Sequence, residues 1–443
     1  MATEWRTVPI RDLCLGIFDG PHATPRKTSS GPVFLGISSL DAGRLNVGDS
    51  VHLSEPDFAK WTRRVTPQAG DVVFSYETRL GEAAMIPQGL RCCLGRRMAL
   101  MRPDQAKVDA RFLLYAYLGP EFQATLRERT VHGSTVDRIL LTEFPDFTIR
   151  VPDLDTQRAI SRLLGALDDK IELSRRMNHT LESIAHAIFE SWFVDFDPVR
   201  AKEDGRWREG QSLPGLPAHL YDLFPDRVTD SSVGNSPEGW EVGTLGDLSH
   251  KPQYGYTASA KTEPVGPKFL RITDINKTAW IEWGSVPYCE MEDGDREKYR
   301  LHKGDVLIAR MADPGHAVMI EDDQDAVFAS YLIRFRPKNV EHSRFLQYWL
   351  RSRSYWEMVK GRGAGTTRVS LNAQVLGSFP LVIPPRSVAS AFAELVGCLR
   401  VRVVANASET QLLAAVRDAL LPKLISGELQ VRDAKRTVGD VGA

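Results

Sequence analysis

The sequence has no excess of either charge and no long apolar run. Its 443 residues carry 56 Lys and Arg against 57 Asp and Glu, a formal net charge of −1. A stand-alone nucleic-acid binder is expected to have a strongly basic domain, so any DNA contact must rest on local patches or on help from a partner. No apolar stretch approaches the ~20 residues that cross a bilayer, and the N-terminus lacks the apolar core of a signal peptide, which predicts a cytoplasmic protein.

Cysteine spacing gives no sign of a disulfide framework or a metal site. The five cysteines are scattered along the chain: Cys14, Cys92, Cys93, Cys289 and Cys398. We interpret them as buried, reduced thiols.

Catalytic motifs are missing as well. An adenine methyltransferase needs an Asn/Asp-Pro-Pro-Tyr/Phe loop to hold the flipped base, and the poor approximations at 197–199 and 313–315 are interpreted as turns. The glycine-rich segment 361–368 lacks the Gly-Lys-Ser/Thr of a phosphate-binding loop. Histidines occur singly, without the spacing of metal ligands. The sequence therefore predicts no catalytic residue, no metal ligand and no cofactor site in this chain.

What the sequence does contain is a long internal repeat. GPVFLGISSL at 31–40 matches GPKFLRITDI at 266–275, and AGDVVFS at 69–75 matches KGDVLIA at 303–309. The offset between matching segments drifts by only a few residues along the chain. A period this long indicates duplicated domains rather than a solenoid, whose units are ~20–50 residues.

Each copy is predicted to be a globular domain followed by a long helix. Short β-rich runs lie between Gly and Pro turns and precede a helix, which favours the α+β class. Pro and Gly punctuation after the first long helix predicts an extended, ordered connector. The predicted segments are 1–153 (first domain), 154–193 (long helix), 194–239 (connector), 240–383 (second domain), 384–427 (distal long helix) and 428–443 (tail).

The two long helices each carry apolar residues at alternating spacings of three and four, which is typical of a coiled-coil seam. The first seam comprises Leu164, Leu167, Ile171, Leu181, Ala185 and Ile188, interrupted at its centre by Ser174 and Asn178. The second seam comprises Val396, Leu399, Val403, Asn406, Thr410, Leu413, Arg417 and Leu420. Because both seams turn polar at the centre, we predict that they pair within the chain as an antiparallel coiled coil.

Centring one polar patch on the other gives a specific register. The facing pairs are Asn178–Asn406, Ser174–Thr410, Ile171–Leu413, Leu181–Val403 and Ile188–Val396. A buried polar pair weakens a coil but fixes its register. Leu167 against Arg417 fits this register badly. The alternatives are two amphipathic helices packed on separate domains, and pairing between two chains.

Several blocks of the sequence resemble the specificity (S) subunit of type I restriction-modification systems. They are LGALDDKIELSRRMNHTLESIAHAIFESWFVDFDPV, then LPGLP, LFPD and SPEGW, and the distal LVIPPRSVASAF and LLPKLISGEL. The loop DGPHATP at 19–25 is similar to one in many first recognition domains of that family. The resemblance covers nearly the whole chain.

The resemblance implies a role in DNA methylation and phage defence. Each globular domain would be a target recognition domain that reads one half of a bipartite DNA site, and the coiled coil would set the unread spacer. Two modification subunits, which bind S-adenosylmethionine and methylate adenine, would dock on the helices. Restriction subunits that use ATP and magnesium would join them, and this chain would be non-catalytic. The alternatives are a methyltransferase or fused methylase–nuclease component with its own activity, and a coiled-coil scaffold without DNA contact.

Base reading requires side chains such as Arg, Lys, Asn or Gln at groove edges. Two basic patches, Gln88–Arg102 and Arg351–Arg368, and several strand-flanking turns supply candidates, although each residue taken singly is better explained as a solvated surface residue. The predicted DNA-binding residues are Arg26, Lys27, Tyr76, Arg79, Arg91, Arg96, Arg97, Tyr254, Tyr256, Lys261, Arg310, Arg351, Arg362 and Arg368.

Aromatic residues near the end of the first long helix exceed what a two-helix seam can bury. They are Phe189, Trp192, Phe193 and Phe196. Large exposed aromatic patches favour partner binding, so we predict a docking surface for the modification subunits. The alternative is packing against the adjacent domain.

Overall fold

The chain forms two compact units. Unit 1 comprises Met1–Glu172 and Leu412–Ala443, and unit 2 comprises Leu173–Gln411. The structure, a computed structural model, describes residues 5–48, 50–133, 136–276, 279–363, 371–434 and 436.

Unit 1 contains an α+β domain. Its strands are β1 (Arg6–Pro9), β2 (Cys14–Asp19), β3 (Thr28–Leu35), β4 (Leu40–Asp41), β5 (Arg44–Leu45), β6 (Val51–His52), β7 (Val72–Ser75), β8 (Ala83–Met85), β9 (Cys92–Leu94), β10 (Met98–Pro103) and β11 (Thr148–Val151). Its helices are α1 (Ile10–Leu13), α2 (Glu55–Trp61), α3 (Ala110–Leu118) and α4 (Pro120–Glu128). The long helix α5 (Leu154–Phe193) begins in unit 1 and ends in unit 2.

Unit 2 contains a second α+β domain. Its strands are β12 (Val228–Ser231), β13 (Gly234–Pro237), β14 (Glu241–Thr244), β15 (Gln253–Tyr254), β16 (Lys268–Leu270), β17 (Val306–Ala309), β18 (Ala317–Met319), β19 (Ala326–Phe328), β20 (Leu332–Phe335) and β21 (Pro380–Ile383). Its helices are α6 (Asp197–Glu203), α7 (Leu245–Leu248), α8 (Asp293–Tyr299), α9 (His342–Trp349), α10 (Arg353–Gly363) and α11 (Ala373–Gly377). The second long helix, α12 (Arg386–Ser426), begins in unit 2 and ends in unit 1. In the described part of the chain, no helix is both long and apolar enough to cross a bilayer.

The two domains share one strand order. A four-stranded sheet runs β2-β10-β7-β8 in unit 1 and β15-β20-β17-β18 in unit 2. A parallel pair, β3 with β9, recurs as β16 with β19. An antiparallel pair of the first and last strands, β1 with β11, recurs as β14 with β21. The predicted duplication and the α+β class are therefore confirmed strand by strand.

An ion pair between an arginine and a buried aspartate recurs at the same point of both sheets. Arg102 of β10 donates two hydrogen bonds to Asp71, at 2.9 and 2.7 Å. In unit 2, Arg336 donates to Asp305 in the same two-pronged way, at 2.6 and 2.8 Å. Both aspartates are buried, and a buried carboxylate needs such a partner to offset its lost hydration. The repeat thus extends from strand order to individual side chains.

Within unit 2 the long helices pair antiparallel through a polar centre. Asn406 donates through Nδ2 to Oδ1 of Asn178 at 2.8 Å, and Asn178 donates through Nδ2 to the carbonyl of Val403 at 3.0 Å. Further along, the rings of Phe189 and Phe392 lie 6.1 Å apart. The predicted Asn178–Asn406 pair is therefore present, and the helices run in opposite directions.

The remaining register residues are distributed between the two units. In unit 2 the side chains of Ser174, Thr410, Val396 and Val403 are buried, and those of Leu181 and Ile188 are half-buried. In unit 1, Leu164, Ile171 and Leu420 are buried and Leu413 is half-buried.

The mismatch expected at Leu167 is resolved in unit 1. Leu167 is buried in the core of the unit. Arg417 instead donates to Oδ1 of Asp168, one residue further along, at 2.8 Å. Arg417 therefore pairs with Asp168 instead of the predicted Leu167, one residue away, and its guanidinium is not buried against leucine.

We expect Asn406→Ala to lower the free energy of unfolding by about 1–3 kcal/mol, because Oδ1 of Asn178 then loses its buried donor. Replacing both asparagines with leucine should restore or raise stability while loosening the register. Urea unfolding followed by far-UV circular dichroism measures both effects. Leu173→Ala, at an exposed position of α5, is the matched control and should change stability by less than about 0.5 kcal/mol. An Asn406→Ala protein as stable as the parent would contradict the assignment.

The connector packs against the end of α5 within unit 2. It supplies buried apolar side chains, among them Trp207, Leu220 and Phe224, to the same core as Trp192. The rings of Trp192 and Phe224 meet edge to face at 5.1 Å. Segment 194–239 is therefore part of the folded unit.

The interpretation of the cysteines is corrected at one position. Cys92, Cys93 and Cys289 are buried and Cys14 is half-buried, but Cys398 is exposed on α12. Burial raises the pKa of the Cys92 and Cys93 thiols to about 12. The sequence could not separate Cys398 from the others, because it lies one residue from a seam position.

Candidate nucleic-acid interface

Several of the predicted DNA-binding residues lie at one end of the four-stranded sheet in unit 1. We call this end, formed by strand ends and the loops that join them, the edge of the sheet. The antiparallel pairs at this edge are Asp19–Ala99, Ser75–Met98 and Phe74–Ala83. The end of β2, the start of β10 and the β7–β8 turn therefore lie side by side. The loops 20–27, 76–82 and 95–97 emerge at this edge.

Exposed cations are displayed on these loops. Arg26, Lys27, Arg79 and Arg96 are exposed, and Arg97 is half-buried. Arg79 pairs with Glu82 at 3.1 Å, and Arg97 lies 3.1 Å from Glu77. Within the described ranges, no carboxylate forms an ion pair with Arg26, Lys27 or Arg96. These three predicted cations therefore remain available to phosphate.

The structure corrects the prediction for Tyr76. Its side chain is only 5% exposed and belongs to the core of unit 1. His22 of the 20–27 loop lies against it edge to face, with ring centroids 6.5 Å apart. Burial raises the pKa of the Tyr76 phenol to about 12. A tyrosine packed in this way does not reach DNA in this conformation.

Arg91 does not join the other cations. It precedes β9, whereas the shared edge is reached at the end of that strand, where Gly95 lies against Gly20. Its guanidinium donates two hydrogen bonds of 2.9 Å to Glu55 at the start of α2. Arg91 is therefore a paired surface residue.

The equivalent edge of unit 2 carries Tyr254, Tyr256 and Arg310. The antiparallel pairs here are Tyr254–Ile333, Ala309–Leu332 and Ile308–Ala317. Tyr254 is 39% exposed, and Arg310 and Tyr256 are half-buried. The Arg310 guanidinium lies over the Tyr254 ring, 4.9 Å from its centroid. Lys261, in contrast, is paired with Glu290 at 2.5 Å.

The β7–β8 and β17–β18 turns have the same backbone shape. Thr78 and Ala312, at matching positions of the repeat, have φ of 72° and 62°. Gly81 and Gly315, three residues later, have φ of 87° and 98°. Positive φ is uncommon for residues with a side chain, so its recurrence marks a shared, strained turn.

The side chains on the two turns nevertheless differ. Tyr76, Glu77 and Arg79 in unit 1 correspond to Arg310, Met311 and Asp313 in unit 2. One backbone frame thus displays two different sets of chemical groups.

The second basic patch is divided by the fold. Arg362 is exposed near the end of α10. That helix packs against the β17–β18 turn, where Tyr355 donates through its hydroxyl to the Gly315 carbonyl at 2.8 Å. Arg368 lies outside the described residues.

The prediction for Arg351 is corrected. This side chain is largely buried and lies 3.2 Å from Glu182, and it also donates to the carbonyl of Ala279 at 3.0 Å. Burial lowers the pKa of its guanidinium. Arg351 follows α9, which packs in the core of unit 2, and this position directs it inward.

Arg351 belongs to a buried network of charged side chains in unit 2. Arg400, on α12, is 1% exposed and pairs with both Glu182 and Glu321. Its Nε lies 3.0 Å from Glu321 Oε1. Arg344 pairs with Glu321 as well. Burial raises the pKa of Glu321 and lowers that of Arg400 to about 10, so Arg400 stays charged at neutral pH.

The proposed aromatic docking surface is also corrected. Phe189, Trp192, Phe193 and Phe196 are all buried in the core of unit 2. Their neighbours include Phe392 on α12, Phe345 on α9 and Trp240 beside β14. The alternative of packing against the adjacent domain is therefore the one observed.

One exposed cation at the unit 1 edge was missed from the sequence. This cation is Arg138, whose backbone forms an isolated antiparallel β-bridge with that of Glu77. Beside it, the amide of Thr78 donates a hydrogen bond to the Asp137 carbonyl at 3.2 Å. In the sequence repeat, the nearby segment Gly133-Ser134-Thr135 matches Gly365-Thr366-Thr367, and Ser134 and Thr135 lie outside the described residues. Recurrence of that loop in the repeat was the available signal for Arg138.

Comparison with known proteins gives consistent matches. Residues 47–183 and 237–388 match the family described as "Type I restriction modification DNA specificity domain". The HindI specificity subunit of Haemophilus influenzae is 25% identical over 333 residues, covering 67% of this chain and 72% of that protein. The MjaIX specificity subunit of Methanocaldococcus jannaschii is 24% identical over 402 residues, covering 86% and 82%.

A solved structure has the same fold. The crystal structure of the type I restriction-modification S subunit from M. genitalium superimposes with a TM-score of 0.55 at 14% identity. The match covers 95% of this chain and 96% of that one.

Proposed function

This chain belongs to the type I restriction modification DNA specificity family, and from that premise we propose that it is the DNA-reading subunit of a cytoplasmic type I restriction-modification complex. Each unit reads one half of a bipartite DNA site. The helix pair sets the length of the unread spacer between the halves. The chain itself is non-catalytic.

The observation that carries this proposal is the duplicated frame with unlike side chains. Both domains have one strand order and one strained turn, at Thr78 and Ala312. A pure scaffold has no use for two copies whose edge loops carry different side chains. Two readers of different half-sites require a common frame with different groups on it.

The small number of free cations indicates that this chain and its partner subunits share the contacts to the DNA phosphates. Among the described residues, the edges display few uncommitted cations; they include Arg26, Lys27, Arg96 and Arg138 in unit 1 and Arg310 and Arg362 in unit 2. Phosphate contacts supply much of the affinity for DNA, and a chain of net charge −1 supplies few of them. Modification subunits docked on the long helices supply the remainder, together with S-adenosylmethionine chemistry. Restriction subunits, with ATP and magnesium, join through them.

Shortening both long helices by seven facing residues, 171–177 and 407–413, tests the proposal. The deletion keeps Asn178 opposite Asn406. Seven helical residues rise about 10 Å, and duplex DNA rises ~3.4 Å per base pair. We therefore expect the spacer of the selected site to shorten by about three base pairs. The measurement is sequencing of DNA captured from a random library by the complex with modification subunits.

The parent complex, selected in parallel, is the control. An unchanged spacer in the shortened protein would remove the role of the helix pair as a ruler. A parent complex that selects no bipartite site would overturn the proposed function itself.

A further inference from the structure

We infer that Arg310 reads a guanine in the half-site bound by unit 2, and that Tyr254 holds the guanidinium in position. This inference rests on the proposed function and names a specificity-determining residue within it. Arginine makes paired hydrogen bonds to O6 and N7 of guanine, the commonest specific contact in the major groove. The question is which arginine of this chain is placed and free to make it.

Arg310 is held firmly at the edge of the sheet. It directly follows β17, its amide donates to the Tyr331 carbonyl at 3.0 Å, and its carbonyl accepts from the Leu371 amide at 2.9 Å. The turn that follows has a positive φ at Ala312, which is strained for a residue with a side chain, and another at Gly315, which glycine adopts freely. The backbone therefore presents this side chain in one place.

Tyr254 supplies a platform for the guanidinium. The cation lies 4.9 Å from the ring centroid, a distance at which the ring face attracts it. The tyrosine is itself anchored, because its hydroxyl accepts a hydrogen bond from the Ala373 amide at 3.0 Å. Stacking on a fixed ring lowers the entropy that the arginine loses on binding.

The donors of Arg310 are uncommitted. Its Nε is buried and has no hydrogen-bond partner among the described residues. No carboxylate in the described part of the chain pairs with it, whereas Arg79, Arg97 and Arg351 each have a glutamate. The chain leaves the donors of this fixed guanidinium without an acceptor. They can therefore bind acceptor atoms of DNA, such as O6 and N7 of guanine.

The matching position of unit 1 lacks this chemistry. Tyr76 stands there, buried, with a phenol in place of a forked donor. The frame around both residues is the same, since Thr78 and Ala312 share the positive φ. Loss of the Arg310 contact should therefore affect one half-site only.

Selection from a random DNA library by the full complex tests the inference. The parent should fix a guanine in one half-site, and Arg310→Ala should lose the preference for that base by roughly 5- to 150-fold. All other positions should stay as they were. Arg310→Lys keeps the charge but not the fork, so it should retain affinity while losing most of the discrimination.

Tyr254 variants separate positioning from folding. Tyr254→Phe keeps the ring face and loses only the hydrogen bond from the Ala373 amide, so it should keep most of the guanine preference. Tyr254→Leu removes the ring and should weaken the preference at the same base pair, with no other position changed. This pattern at a single base would not arise from a general loss of structure.

Lys338→Ala is the matched charge control. Lys338 is exposed and follows β20 at the opposite edge of the same sheet, so its loss should change no base preference. If Arg310→Ala keeps every preference of the parent, or if the lost base is not guanine, the inference is overturned while the proposed function stands. If the parent has no bipartite preference, the proposed function fails instead.

Discussion

Replacing Arg400 with methionine is expected to lower the free energy of unfolding by about 3–5 kcal/mol, because it removes a buried arginine that pairs with two largely buried glutamates. Arg400 is 1% exposed and pairs with Glu182 and Glu321. Burial raises the pKa of Glu321 despite its arginine neighbours, because the site disfavours a charged carboxylate. Urea unfolding at neutral pH measures the change.

Arg402 offers the matched control for this experiment. It lies two residues further along α12 and is exposed, so Arg402→Met should change stability by less than about 0.5 kcal/mol. Arg400→Lys should fall between the two, because an ammonium keeps the charge but cannot hold two carboxylates in a planar fork. Unfolding curves of Arg400→Met that coincide with the parent would show that the network contributes nothing to folding.

Trp192→Ala, as a single substitution, is expected to lower the free energy of unfolding by about 3–5 kcal/mol, because it opens a cavity in the core of unit 2. The side chain is 1% exposed and meets Phe224 of the connector at 5.1 Å and Phe392 of α12 at 6.0 Å. Three segments of unit 2 lose contacts together when the indole is removed. Urea unfolding again measures the loss.

The same substitution decides between packing and docking. Ile184→Ala, at an exposed position on the same helix, should have little effect on stability. If Trp192→Ala kept the stability of the parent but lost its modification subunits, the aromatic cluster would be a partner surface after all. The burial observed in the structure predicts the reverse order of effects.

Much of the fold could be predicted because the sequence contains an internal repeat, so its two halves can be aligned with each other. Matching segments gave the duplication, and the two polar seam centres gave the Asn178–Asn406 pair now seen at 2.8 Å. Such a pair is visible in sequence because an asparagine among apolar seam residues breaks a regular pattern. The same comparison fails at Leu167 and Arg417, where a one-residue displacement to Asp168 is a local adjustment with no sequence signature.

The candidate site was harder to predict, because charge and aromaticity do not reveal burial. Arg351 and Arg362 belong to one basic patch of the sequence, yet the first faces Glu182 and the second faces solvent. Trp192 exceeds what a two-helix seam can bury, which predicts a docking surface; the residue that covers it, Phe224, lies in the connector, where no sequence pattern links the two. Tyr76 lies at the end of a strand, where one residue decides between core and surface.

The core of unit 1 has a consequence for the order in which the protein is made. Phe112 and Leu164 pack there with Leu420, Leu424 and Ile425, which are synthesised some 250 residues after Leu164. The domain of unit 1 therefore waits for α12, which is synthesised after the domain of unit 2, before its apolar face is covered. During that interval the nascent chain exposes a surface that chaperones recognise, and any product truncated before α12 keeps it exposed.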